Sequence, residues 1–350
     1  MKYILFDSEL RNRLLPFTHT RPVADIRCGI MTMRERWEYF IQQATGTLTV
    51  AYLQDVFPQN GSGDNLFING AVFATKDLWE HISQLQPQQQ LVSGDLIIAA
   101  RVTDSVVKFG NKIQVDTTVQ EIPYTGIVNH LQHNWDIFSF NDKAIADDFV
   151  ILTAGRTSQP MPGNVMVTGS EQLFIEEGAE ISAGCIINAS TGPVYIGRNA
   201  NLLEGGMLRG PIAICEGAVT KMGAKIYGGT TIGPGCKVGG EISNVVFFAN
   251  SNKGHDGYLG NSVIGEWCNL GADTNCSNLK NNYDAVKIWD EYSFKSVATG
   301  LTFCGLLMGD HSKSGINTMF NTGTVVGVSA NIYGGNFPEK FVPSFAWGGS

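Results

Sequence analysis

Residues 196–238 read IGRNANLLEGGMLRGPIAICEGAVTKMGAKIYGGTTIGPGCKV. Aliphatic residues recur in this stretch every six positions, at Ile196, Leu202, Leu208, Ile214, Ile226, Ile232 and Val238, with one exchange at Thr220. A period of six is neither the ~3.6 of a helix nor the ~2 of a strand. It fits short strands joined by tight corners, each strand turning one apolar residue inward. Three sides of six residues close a triangular coil of eighteen, and stacked coils give a dry inward column. Upstream, Ile175, Ile181 and Ile187 hold the same spacing, set off by three residues. Downstream, the pairs Ile264 and Leu270, and Val326 and Ile332, return to it. Glycine follows many of these positions, as in Ile196-Gly197, Ile232-Gly233, Val238-Gly239 and Ile264-Gly265. The expectation is that glycine is chosen there for φ > 0 at corners. A glycine-rich sandwich would instead alternate, with turns every ~8–12 residues.

The first half of the chain follows another grammar. Residues 1–150 hold 8 of the 41 glycines and residues 151–350 the other 33, which divides the chain into two domains. Tyr3-Ile4-Leu5-Phe6, residues 48–53 (LTVAYL) and residues 96–102 (LIIAARV) read as strands. Residues 31–44 read as an amphipathic helix, and residues 75–85 as a second helix with Thr75 as N-cap. This order predicts a mostly parallel sheet covered by helices. Residues 135–149 read as a helix that closes the domain. The division expected is an α/β domain over 1–150, a linker over 151–169, coils over 170–335 and a cap over 336–350. In that cap Phe341, Phe345 and Trp347 are expected to dock on the coils.

The net charge of −8 argues against a general nucleic-acid binder. The start MKYILFDSELRNR lacks the apolar core and cleavage site of a signal peptide, and no run reaches the ~20 apolar residues of a membrane span. A soluble cytoplasmic protein is expected. The seven cysteines are odd in number and form no CxxC, which points to reduced, packed thiols rather than a metal site.

Residues 241–279, EISNVVFFANSNKGHDGYLGNSVIGEWCNLGADTNCSNL, depart from the six-residue register. They contain His255, Tyr258-Leu259-Gly260-Asn261-Ser262-Val263-Ile264-Gly265, then Asn269-Leu270-Gly271-Ala272, Thr274 and Asn278. This run resembles the acyl-transfer half of the bifunctional sugar-1-phosphate nucleotidyltransferase/acetyltransferases, the N-acetylglucosamine-1-phosphate uridyltransferase-like family. The run 277–280 and the block Gly309 to Asn317 are most similar to its archaeal branch. The resemblance covers residues 170–335. It implies a divergent, Rossmann-like α/β nucleotidyltransferase-like domain followed by an all-β, single-stranded, left-handed parallel β-helix of hexapeptide repeats. The left hand comes from the resemblance alone, because it opposes the usual right-handed crossover.

The resemblance also implies roles. His255 matches the general base of an N-acetylation that uses acetyl-CoA as co-substrate, with an amino-sugar phosphate as acceptor. The chemistry suits the residue type. The attacking amine must lose a proton, and histidine is the side chain that titrates nearest neutral pH. Tyr258 and Asn278 match positions that orient sugar or base. Gly305 and Lys313 are the positions read as acetyl-CoA contacts, the first through a backbone amide on the thioester oxygen. The family grips its sugar phosphate with a basic pair that falls here on Tyr227 and Ser243, and the stretch 238–244 is two residues short. Lys221, Lys225 and Lys253 are the candidates to replace that pair. A homotrimer with active sites between neighbouring prisms is implied, and the apolar run Val245-Val246-Phe247-Phe248 would pack on a neighbour or cover its own coil.

The N-terminal half lacks the glycine-rich phosphate loop of sugar nucleotidyltransferases, since no glycine precedes Gly29. Residues 20–25 (TRPVAD) stand where that family has Lys-Pro. Arg11, Arg13 and Arg21 are candidates to hold phosphate oxygens. Asp7, Asp25, Asp95 and Asp104 are candidates for Mg²⁺, with nothing in their spacing to single one out. Two other functions stay open: nucleotidyl transfer alone with the β-helix as trimerisation platform, and a non-catalytic sugar-nucleotide-binding or assembly protein.

Overall fold

A computed structural model of the chain describes residues 1–60, 63–103 and 119–348. Every residue of the six-residue series is turned inward and is at most 7% exposed, Thr220 included. The strands around them stack in parallel on three faces. The first face runs through Met166–Thr168, Ile186–Asn188, Met207–Arg209 and Lys225–Ile226. The second runs through Leu173–Ile175, Val194–Ile196, Ile212–Ile214 and Thr230–Ile232. The third runs through Glu180–Ile181, Asn201–Leu202, Val219–Thr220, Lys237–Val238 and Asn252–Lys253. The architecture is a parallel β-helix.

The glycines that follow the inward residues have a different cause from the one expected. Gly197, Gly233, Gly239 and Gly265 do not have positive φ. A Cβ on them would lie 2.8, 1.7, 2.9 and 2.4 Å from an atom of the next coil. They are small because coils approach closely. After Gly239 the left-handed residue is the next one, Gly240, whereas after Gly197, Gly233 and Gly265 it sits two places later, in a column at one corner that runs through Asn199, Gly217, Gly235, Asn250, Trp267, His311 and Ser329. Each stands three residues after an inward position, and several carry side chains.

Residues 241–279 are coils rather than an interruption. Glu241–Phe247 and Tyr258–Ile264 each serve the first and then the second face, paired from Glu241↔Tyr258 to Phe247↔Ile264. The departure in spacing comes from a shortened corner at Gly239-Gly240, where Ile226 and Ile242 pair across adjacent coils. Val245 and Phe247 join the inward core, and Val246 and Phe248 are buried as well, so this run is covered within the chain itself. The true excursion from the coils comes later, between Asn275–Cys276 and Leu307–Met308, and carries an antiparallel hairpin, Lys287–Asp290 with Lys295–Ala298.

The chain divides into two compact units, Met1–Ile26 with Met31–His133, and Arg27–Ile30 with Asn134–Ser350. The boundary therefore precedes the expected 150. The first unit contains β1 (Lys2–Phe6), α1 (Leu10–Arg13), α2 (Met33–Ile41), β2 (Gly46–Leu48), α3 (Ala51–Gln54), β3 (Asp64–Asn69), α4 (Lys76–Ser83), β4 (Gln89–Ser93), β5 (Leu96–Thr103) and β6 (Gln120–Pro123). Its sheet has the order β2-β1-β3-β5-β4-β6. β2, β1 and β3 are parallel, and β5 is antiparallel to both neighbours. Thr75 caps α4 by accepting the Leu78 N–H. The second half of the expected strand at 48–53 is helix α3. The Gln54 side chain turns back to accept from the Thr49 N–H and to donate to Thr47 O, which closes the strand at Leu48.

The helix expected to close the first domain packs instead on the second unit, as α5 (Asp136–Ser139) and α6 (Asn141–Thr153). Ile145 of α6 clusters with Ile30, Ala213 and Cys215. The Gly29 and Ile30 N–H groups donate to Asn141 Oδ1 and Asp148 Oδ2, and Thr231 Oγ1 donates to Gly29 O. Two expectations for the ends also change. Met166–Thr168 lies within the expected linker but is a strand of the first face. Phe341–Val342, in the expected cap, is a strand of the second face. Of the three aromatics assigned to the cap, Phe341 stacks on Trp289, whereas Phe345 and Trp347 are exposed. All seven cysteines are free and buried, and burial pushes the Cys236, Cys268 and Cys304 thiols up to about 12.

Candidate functional site

His255 stands at the corner between the third and first faces. It follows the inward position Lys253 by two residues, as Ala183, Glu204 and Ala272 follow theirs. Its side chain is exposed. Among the described residues its ring makes no hydrogen bond. Three residues on, Tyr258 opens the strand of the next side and is half-buried. The Asn278 Nδ2 donates to the Tyr258 hydroxyl at 3.0 Å and to Asn261 Oδ1 at 2.8 Å. Burial pushes the Tyr258 phenol above its ordinary value, opposed by the hydrogen bond from Asn278. Gly260 makes room for this triangle, since a Cβ there would lie 2.3 Å from the Tyr258 hydroxyl. The structure thus brings Tyr258 and Asn278 together from positions twenty residues apart, joined through Asn261, a motif residue with no role assigned above.

The remaining predicted contacts fare differently. Lys253 is 1% exposed and occupies the inward column between Val238 and Leu270, so it cannot reach a surface ligand. The Gly305 N–H donates to Asn261 O at 2.8 Å, and Gly305 is buried, so that amide is not open to a thioester. The Lys313 ammonium donates to Trp267 O at 2.5 Å and His311 O at 2.7 Å, tying two corners together. Lys225 is exposed on the first face, in register with Glu241 and then Tyr258. Two rungs of a sheet separate strands by roughly 10 Å. Arg209, exposed one coil before Tyr227 on that face, escapes a motif comparison because it falls outside the motif. Its signal is the period alone.

In the first unit the predicted phosphate ligands are largely committed. Arg11 is buried and its guanidinium donates to Thr18 O and the Tyr52 hydroxyl beside Asp7. Arg21 is buried, and only Arg13 of the three is exposed. The Asp7 carboxylate accepts from the Val23 N–H at 2.8 Å and the Thr49 hydroxyl at 2.6 Å. Asp25 is paired with Arg34 through both oxygens. Asp95 is exposed in the β4–β5 turn, and Asp104 lies outside the described residues. Among the described residues no three His, Cys, Asp or Glu side chains converge. These carboxylates do not fit a divalent cation, because the oxygens of Asp7 and Asp25 already hold donors.

Burial, the largest influence, pushes Asp7 up from 3.8 to about 6. A raised carboxylate contributes stability below its unfolded pKa and loses it as pH rises through the folded one. The stability of the wild type relative to Asp7→Asn is therefore expected to fall between pH 4 and pH 7. Paired urea titrations read the difference directly, and a difference that stays flat would contradict the burial of an ionising carboxyl.

The chain combines an α/β unit with a parallel β-helix that carries an exposed histidine at one corner. Residues 3–157 match the family described as sugar nucleotidyl transferase. Among similar proteins is the "Bifunctional sugar-1-phosphate nucleotidylyltransferase/acetyltransferase" of Sulfurisphaera tokodaii, 27% identical over 271 residues, covering 77% of this chain and 58% of that protein. The "Uncharacterized acetyltransferase YaiX" of Escherichia coli is 28% identical over 171 residues, covering 48% of this chain and 74% of that one. The "Bifunctional protein GlmU" of Synechococcus elongatus is 24% identical over 233 residues, covering 60% and 47%. The chain thus spans about half the length of the bifunctional relatives it matches. Among the described residues no helix is long and apolar enough to cross a membrane.

Proposed function

We propose that the β-helix unit transfers an acetyl group from acetyl-CoA to the amine of an amino-sugar phosphate, with His255 as general base. The observation that carries this reading is an exposed imidazole without an internal partner, three residues before the Tyr258–Asn278–Asn261 triangle. The amine nitrogen forms the new C–N bond as the thioester C–S bond breaks. Its proton passes to the imidazole, and the departing thiolate takes a proton in turn. Tyr258 and Asn278 orient the acceptor. Lys225 and Arg209 are the exposed cations on the first face that a phosphate would meet. The assembly proposed is a homotrimer in which a neighbouring prism completes the acetyl-CoA site.

Nucleotidyl transfer by the first unit is the second reading, favoured by the family match over residues 3–157. The internal commitments of Asp7, Arg11 and Asp25 weigh against it. Thiol release from acetyl-CoA, measured against free amino sugars, their 1-phosphates and their nucleotide conjugates, tests the first reading. Release with at least one phosphorylated amino sugar is expected. Silence with every acceptor, alongside pyrophosphate release from a nucleoside triphosphate and a sugar 1-phosphate, would favour the second.

A further inference from the structure

The corner that carries His255 is wound unlike its counterparts. At the same corner in other coils a left-handed residue donates its N–H to the preceding coil: Gly205 to Ala183 O, Gly223 to Glu204 O, Asn317 to Ala272 O. By that register Asp273, also left-handed, would donate to His255 O. No such backbone bond forms. The His255 carbonyl is held instead by the Lys253 Nζ at 3.0 Å, and the Asp256 carbonyl by the same ammonium at 3.3 Å. The left-handed position of this corner moves from Asp256 to Gly257, at φ 118.

The next rung is altered in the same sense. Lys225 and Asn275 donate their N–H groups to backbone carbonyls of the following coil, Gly240 O and Thr318 O. The Tyr258 N–H donates to the side-chain oxygen of Asn275, at 2.8 Å. The first-face sheet stops there: Asn275–Cys276 pairs only with Met319–Phe320. At the corner and rung around His255, two side chains thus stand in for backbone bonds between coils.

A lysine in an apolar column is costly. Burial lowers its pKa to about 8, opposed by the nearby Asp256 and Asp273. Inward positions elsewhere in that column are Ile181, Leu202, Thr220, Val238, Leu270, Ser314 and Ile332, none of them charged. At the corners of Gly205, Gly223 and Asn317 the backbone closes its own ladder without such a group. We propose that the Lys253 ammonium is a positioning group for His255, holding the corner off the inter-coil ladder so that the imidazole faces outward. The functional consequence rests on the acetyl-transfer reading, whereas the positioning does not.

Lys253→Met separates the two. Methionine nearly matches the length in an apolar column, and exchange of a buried charge for an apolar group is often neutral or stabilising. The His255 and Asp256 carbonyls lose their donor, while both residues are exposed to water. The expected result is a melting temperature at or above that of the wild type, with hydrogen exchange in residues 254–258 about tenfold faster, the worth of one charge-assisted hydrogen bond. Exchange at the corners of Gly205 and Asn317 should not change. If the thiol-release assay is positive for the wild type, kcat should fall in this variant with KM for acetyl-CoA held. Unchanged exchange at 254–258 in a folded variant would overturn the proposal. Should Lys253→Met fail to fold, wild-type exchange corrected for intrinsic rates decides. The groups that face this ammonium are Asp256 on its own corner, Asp273 from the next coil and Lys221 against Gly254. Loss of protection at 254–258 between pH 7 and pH 9.5, as the ammonium gives up its proton, supports the clamp, and constant protection refutes it.

Discussion

His255→Ala is expected to lower the rate of acetyl transfer by ~10²–10⁴-fold while leaving the protein folded. The size follows from what a positioned proton acceptor contributes to the attack of an amine on a thioester. The intact fold follows from the site, because the side chain is exposed and has no hydrogen-bond partner among the described residues. A ring that supports nothing can be removed at little cost in stability. Thiol release under saturating acetyl-CoA measures the first quantity and a thermal melt the second. Free imidazole should return part of the rate to the Ala variant and nothing to the wild type. His311→Ala is the control. His311 stacks on Trp267 at a different corner, between the second and third faces. Its loss should leave the rate alone. A His255→Ala protein that turns over like the wild type would remove the general-base role, and the architecture would stand without it.

Much of this was legible because a β-helix writes its geometry into the sequence. One inward residue per side repeats at a fixed interval, so Ile196 to Val238 announces the coils without any tertiary information. What failed did so for identifiable reasons. The two-residue shortening at Gly239-Gly240 shifted the register, so the coils from Glu241 to Cys276 looked like an insertion. The buried position of Lys253 was hidden because a charged residue is ordinarily read as exposed. Only the pairing Val238↔Lys253 reveals that it replaces an aliphatic. Gly305, Lys313 and Arg11 are each committed by a long-range hydrogen bond, to Asn261 O, Trp267 O and the Tyr52 hydroxyl, that no spacing rule connects. Strand β3 at Asp64–Asn69 went unread because only three consecutive residues of it, Leu66, Phe67 and Ile68, are apolar.

Gly233→Ala is expected to destabilise the β-helix by about 3 kcal/mol, at the upper end of overpacking effects. The added methyl would sit 1.7 Å from Phe248 O and 2.4 Å from Phe247 O. Both atoms are backbone of the next coil, so no rotamer change relieves the clash. The Gly233 N–H also donates to Phe247 O at 3.1 Å, and a shift that made room for the methyl would break this rung. Gly217 supplies the contrast. It has φ 63, and nothing lies within 4 Å of a Cβ built there. The equivalent corner one coil earlier is Asn199 at φ 54, and asparagine tolerates that conformation. Gly217→Asn should therefore change stability by no more than about 0.5 kcal/mol. Urea midpoints of the two variants against the wild type decide between two causes for glycine in these coils. If the left-handed corner demanded glycine itself, the Gly217 variant would suffer and the Gly233 variant would not. If the close approach of stacked coils is the cause, the order reverses. Gly265→Ala should then fall below Gly233→Ala in cost, since its nearest backbone atom, Asp310 N, is 2.8 Å away rather than 1.7 Å, and the closer Asp310 carboxylate oxygen, at 2.4 Å, belongs to a side chain.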